Sequence, residues 1–356
     1  MRLNSSKVAG WVVALIAIAG AAYFTYAHYL RIPTNVAYVT EEDDGISVID
    51  LNTLNVVKTI HPKDVAPRGE GLTFDGKYLV VADKDTADAA VIDTRRMKVV
   101  RKLHVGDNPE FVKLDPTGQW LFTSYEPGST GGPPGPGDEE ENTNEPPSEV
   151  VEFNTDDWTR ALSFVAGQET EGLEFSPDGK LLIVANEAQN NLGVYNVTTG
   201  QQVKNVNLES YGRRPRGVKV SPQGNLYAVT MEGSGTLLLL DANFNVLHAT
   251  QTAAKPYGIA FDRDGRRIFV VAAAAQELQV FKTDTLQQVG EAPLGKRCWH
   301  FTFTPDDSKL LFACGRSNDV YVLDAKTYKQ IKVIGGFQTP WGILTYPRAY
   351  GSLGLP

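Results

Sequence analysis

Beyond residue 34 the apolar residues come in short runs, each broken by Gly, Pro, Asn, Asp or Ser, and none keeps the spacing of an amphipathic helix. The clearest stretch is Glu171-Gly-Leu-Glu-Phe-Ser-Pro-Asp-Gly-Lys-Leu-Leu-Ile-Val-Ala-Asn186. It reads as a strand, a tight turn at Pro177-Asp178-Gly179 and a second strand. The unit returns at Arg216 to Thr230, from Tyr257-Gly258 and from Trp299-His300. Its first strands align on Gly71, Phe111, Gly172, Gly217, Gly258, His300 and Gly342, with steps of 40, 61, 45, 41, 42 and 42 residues. Such a period, with four short strands per unit, predicts the blades of a β-propeller.

After each hairpin a third strand ends in Asp or Asn, as in Val48-Ile-Asp50, Val91-Ile-Asp93, Val194-Tyr-Asn196, Leu239-Leu-Asp241 and Val322-Leu-Asp324, and a short outer strand follows. Asp and Asn set such reversals by bonding their own backbone. The first unit, Asn35 to Ile60, lacks an innermost strand, and Thr339 to Pro347 supplies it. The ring then closes with no open edge. The prediction is an all-β, seven-bladed propeller over residues 35–347, followed by a tail at 348–356. The long step carries an insertion at 127–148, rich in Gly, Pro and acid, which reads as a flexible acidic flap.

The N-terminus has a different pattern. Arg2 and Lys7 precede an apolar run over residues 8–30. Residues 1–31 therefore read as a helical export signal, either a cleaved signal peptide or a transmembrane anchor. Both place the folded part in the periplasm or another extracytoplasmic space; an anchor would tether it to the inner membrane. A formal net charge of -8, with no basic cluster beyond Arg213-Arg214-Pro-Arg216, excludes a nucleic-acid surface. The two cysteines, Cys298 and Cys314, flank the turn at Pro305-Asp306-Asp307 and come opposite each other when it folds. They are a candidate disulfide, with two buried thiols as the alternative.

Tyr38-Val-Thr-Glu41, Ile46-Ser-Val-Ile-Asp50 and Ser176-Pro-Asp-Gly179 resemble the YVTN family of β-propellers, which is akin to the cytochrome d1 domain of nitrite reductases. The resemblance covers roughly residues 35–347 and implies the propeller fold. One exported subgroup is associated with pyrroloquinoline-quinone-dependent alcohol oxidation, which implies an accessory role beside a periplasmic quinoprotein or redox system. The chain departs from the haem-binding relatives in having no Cys-x-x-Cys-His.

The residue before each aligned position should rim the central channel. Around the ring these are Trp341, Glu70, Glu110, Glu171, Arg216, Tyr257 and Trp299, with His300 just inside. An acidic side facing an aromatic side suits an organic cation, or a metal with a flat ligand. Glu70, Glu110 and Glu171 are the candidate ligands for Ca²⁺; pyrroloquinoline quinone and haem are further candidates, and the sequence requires none of them. Glu41 to Asp44, Asp83, Asp85, Glu126, Glu187 and Glu232 make the same face acidic, as a basic protein partner would want. The favoured reading is a non-catalytic propeller that binds a ligand, cofactor or protein partner at its upper mouth. The alternative is a hydrolase. Trp299-His300-Phe-Thr-Phe-Thr-Pro-Asp306 resembles the histidine-bearing strand of seven-bladed lactonases, which implies His300 as base, held by Glu70 or Glu110, with Glu187 a more distant partner. No Gly-x-Ser-x-Gly elbow or phosphate loop occurs.

Overall fold

The hairpin turns are built by their own side chains. At Ser176 the hydroxyl donates to Asp178 Oδ1 (2.7 Å) and accepts from the Leu181 N–H (2.9 Å). Gly179 closes the turn at φ +68°, a conformation glycine adopts without strain. The same construction recurs at Ser221 to Gly224 and Asp262 to Gly265. Third strands end as expected: Asp50 Oδ1 accepts from the N–H groups of Asn52 (3.0 Å) and Thr53 (2.8 Å).

These hairpins assemble seven four-stranded antiparallel sheets in a computed structural model that describes residues 33–128 and 146–350. The helix expected over residues 1–31, most of the acidic insertion and the end of the tail lie outside the described residues. No helix among the described residues is long and apolar enough to cross a membrane. Six blades are continuous in sequence, and the first takes its innermost strand, Pro340–Tyr346, from the C-terminal end. That strand pairs antiparallel with Val36–Glu41, Tyr346 opposite Val36. The chain is thus a seven-bladed all-β propeller, closed as its sequence implies.

Each blade buries both faces against its neighbours, so the core is a set of seams between blades. One seam joins Ala37, Val39 and Ile343 of the first blade to Leu311, Ala313 and Val322 of the seventh. Outer strands stay largely exposed, with Val57, Val203 and Leu247 facing solvent. Cys298 and Cys314 sit directly opposite each other and are bridged.

The register corrects the sequence alignment in one blade. Pro67 opposes Asp83 as Pro215 opposes Met231 and Pro256 opposes Ala272. The residue equivalent to Gly172 and Gly217 is therefore Gly69, not Gly71, and its distance to Phe111 becomes 42 residues. Gly69-Glu-Gly71 offers two glycines on the same face of one strand, and a pattern of period two cannot choose between them. The slip of two moves the rim position from Glu70 to Arg68.

Candidate functional site

Side chains from five adjacent inner strands, in the third to seventh blades, line one pocket, which can lie only on the ring axis. Its empty volume is about 540 Å³, counted out to the open mouth. Glu171, Arg216 and Tyr257 stand at the rim, Phe111 and His300 one residue further in, and Lys113 and Lys219 two residues beyond those. The third position of the inner strand explains why two of these side chains fill the channel. It is glycine in five blades, because neighbouring strands pass too close for a side chain: a Cβ on Gly172 would lie 2.4 Å from the Arg216 carbonyl oxygen, and one on Gly217 2.7 Å from that of Tyr257. Phe111 and His300 are the two departures, and both project into the pocket.

The rim is an ion-pair network. Arg216 donates to Glu171 Oε1 (2.8 Å), Glu187 Oε2 (2.8 Å) and Glu232 Oε2 (2.9 Å), and its guanidinium lies 3.9 Å from the centre of the Tyr257 ring. Arg214 adds a second bond to Glu187 at 2.6 Å. Across the mouth, Arg68 bonds Glu110 and, at 2.8 Å, Glu42, which also receives Lys84 at 2.8 Å. Glu126 lies between the two groups, 7 % exposed. Burial pushes Glu126 well above the usual carboxylate range, and Glu171 and Glu110 add to the shift. Burial also raises Glu171, with Arg216 opposing and Glu187 adding. Oε2 of Glu171 has no hydrogen-bond partner among the described residues. That oxygen can accept a proton.

His300 packs edge-on to Phe111, ring centres 5.8 Å apart, and 4.3 Å from the ring of Trp341. Burial, followed by the fields of Arg216 and Lys219, lowers its pKa to about 3. The imidazole is therefore neutral at ordinary pH, a donor and acceptor rather than a strong base. The floor is Glu174 between two lysines, Oε1 at 3.0 Å from Lys113 Nζ and Oε2 at 3.5 Å from Lys219 Nζ.

The structure brings Glu171, Arg216, Tyr257 and His300 together in one pocket. Trp299 and Trp341 are buried beside it, in one apolar cluster with Phe111 and Tyr257. Glu110 is at the rim, tied to Arg68. Glu70 is not at the rim. It is fully buried in the seam beside Gly342, neither carboxylate oxygen has a hydrogen-bond partner among the described residues, and burial raises its pKa well above the usual range. The expected Glu70–Glu110–Glu171 metal set therefore does not assemble, and no metal-holding group occurs among the described residues. The acidic loops also differ from expectation. Glu41, Asp83, Glu187 and Glu232 are buried and hold loops and arginines, and Glu126 is buried as well, whereas Asp43 and Asp85 stay exposed. Arg68 was hidden by the register slip. Lys113 and Lys219 were missed because a lysine inside an apolar strand reads as a solvated position; their matching place in aligned strands was the available signal.

A family model described as Lactonase, 7-bladed beta-propeller matches residues 149–252, less than a third of the chain. No curated protein matches in sequence. Among solved structures, the Pseudomonas aeruginosa periplasmic gluconolactonase PpgL superposes with a TM-score of 0.71 at 18% identity, covering 86% of this chain and 98% of that one. Kuenenia stuttgartiensis hydrazine synthase gives 0.69 at 18%, covering 82% and 93%. The dihydro-heme d1 dehydrogenase NirN, in complex with DHE, gives 0.64 at 15%, covering 88% and 75%. These likenesses establish the seven-bladed fold and a cytochrome d1-like neighbour. The matching lactonase model overturns the expectation of a non-catalytic scaffold and favours its alternative, the hydrolase.

Proposed function

We propose that the protein hydrolyses a small cyclic ester in its central channel. The observation that carries this reading is the joint placement of Glu171, Arg216, Tyr257 and His300 around one pocket. The lactonase family model and the gluconolactonase neighbour support the same reaction class. Glu171 is a better base than His300: one oxygen is held by Arg216, the other is unbonded, and burial raises its pKa above the ordinary carboxylate range, whereas burial lowers that of His300 to about 3. In the step we assign, Glu171 takes a proton from water as the water oxygen bonds to the ester carbonyl carbon. The ring C–O bond then breaks, and the leaving oxygen takes that proton back, giving an open-chain hydroxy acid. The neutral imidazole of His300 supplies an N–H to the carbonyl oxygen as charge develops there.

The test is a pH-stat assay of the purified protein on glucono-δ-lactone and δ-valerolactone, corrected for spontaneous opening. Turnover should exceed background, and Glu171→Gln should lower kcat by about a hundredfold or more with the fold retained by circular dichroism. His300→Ala should lower it by a smaller factor. No turnover of any lactone, or full activity in both variants, removes the reading.

A further inference from the structure

The strongest chemistry not used above lies at the floor of the pocket. Lys113 and Lys219 are 7 % and 4 % exposed, and both line the cavity. They share Glu174, which is 2 % exposed and also accepts from the Phe175 N–H at 2.9 Å. Among the described residues Glu174 is the only carboxylate within ion-pair reach of either lysine. Two ammonium groups thus face one carboxylate. The other charged and titratable groups lining the channel are Glu171, Arg216, Tyr257 and His300; the one carboxylate among them, Glu171, lies at the rim and is paired with Arg216, so it gives the lysines no partner. The corresponding positions of the remaining inner strands, Gly71, Ala260, Thr302 and Leu344, are uncharged. A buried cation without a full partner costs several kcal/mol, so this layer favours either loss of a proton or capture of an anion.

We infer that Lys113 and Lys219 form an oxyanion site at the inner end of the channel, taking a carboxylate or phosphate group, free or carried on the ligand that fills the pocket. Three residues of strand separate Arg216 from Lys219, so the site lies about 10 Å inside the rim. A ligand held there by its anionic end still reaches Glu171 and His300. Binding is coupled to protonation. Burial and the adjacent Lys113 lower the Lys219 pKa to about 7, so an arriving anion restores its charge and draws a proton from solution. The site does not require the hydrolase reading. Anion binding without lactone turnover would remove that reading alone, and turnover without anion binding would remove this one alone.

The probes are inorganic phosphate and acetate, each titrated calorimetrically into the full protein in two buffers of different ionisation heat. Saturable binding of at least one is expected, with uptake approaching about one proton per anion near pH 8 and falling well below that near pH 6. Preference between the two probes separates a phosphate site from a carboxylate site. Lys219→Met should weaken binding by about tenfold or more and abolish the uptake. Its place in the strand tolerates an aliphatic side chain, as Leu344 does in the closing strand. Glu174→Gln should tighten binding, because the competing carboxylate charge is gone; a misfolded protein could not give that opposite sign. Absence of binding of both anions to the wild type, or unchanged affinity in Lys219→Met, overturns the proposal.

Discussion

Two layers of charge share the axis of the ring and are balanced in different ways. At the rim Arg216 meets Glu171, Glu187 and Glu232, while Arg214 and Lys255 supply further cations, so each of these three carboxylates has a partner of opposite sign. At the floor Lys113 and Lys219 divide one Glu174. The rim spends its charges on each other and fixes the loops that carry them. The floor keeps a cation in excess, which is the condition for binding something else. Burial alone therefore does not mark a functional charge; an unmatched count does.

The largest effect should come from breaking the balanced layer. Arg216→Met leaves three carboxylates crowded together, and loss of one member of such a network costs about 3–5 kcal/mol. Thermal unfolding should fall by roughly 10 °C. An unchanged midpoint would mean that the rim network does not hold the mouth together.

Lys219→Met should act with the opposite sign, because it leaves Lys113 and Glu174 matched one to one. The Lys219 pKa is depressed to about 7 in the folded protein, from 10.5. Between these values the unfolded chain holds a proton that the folded chain does not, so wild-type stability falls as the pH drops through that window. The variant should gain on the order of 2 kcal/mol over wild type near pH 7, and less as the pH rises toward 10. Melting curves across that range check the trend; a variant less stable than wild type at pH 7 would contradict the unmatched count.

A smaller gain is expected from Glu70→Val. Its register mates are Val112, Leu173, Val218, Ile259, Phe301 and Ile343, all apolar, so the seam already fits the substitution. Removing an unbonded buried carboxyl should add about 1–2 kcal/mol. The folded pKa of Glu70 is raised, so wild-type stability falls as the pH climbs above the unfolded value, and the advantage of the variant grows from pH 5 to pH 8. Thus the two stabilised variants should respond to pH in opposite directions, which chemical denaturation at two pH values would resolve.

Sequence alone carried the ring. The repeat from Glu171, the Asp- and Asn-ended third strands and the missing first strand settled blade number and closure, because each is a local choice of turn chemistry repeated at a fixed period. It also placed Glu171, Arg216, Tyr257 and His300 at one end of the channel, since a rigid period puts equivalent residues at equivalent heights. What it could not decide was pairing. A two-residue ambiguity at Gly69-Glu-Gly71 resolves only when Pro67 meets Asp83 across the hairpin. The acidic loops read as an exposed face until the arginines of neighbouring blades are seen bound to Glu42 and Glu187. Lys113, Glu174 and Lys219 lie far apart in the chain and become one cluster only when three inner strands converge on the axis. A one-dimensional pattern specifies height and face within a blade, but partners across blades depend on distances that closure of the ring creates.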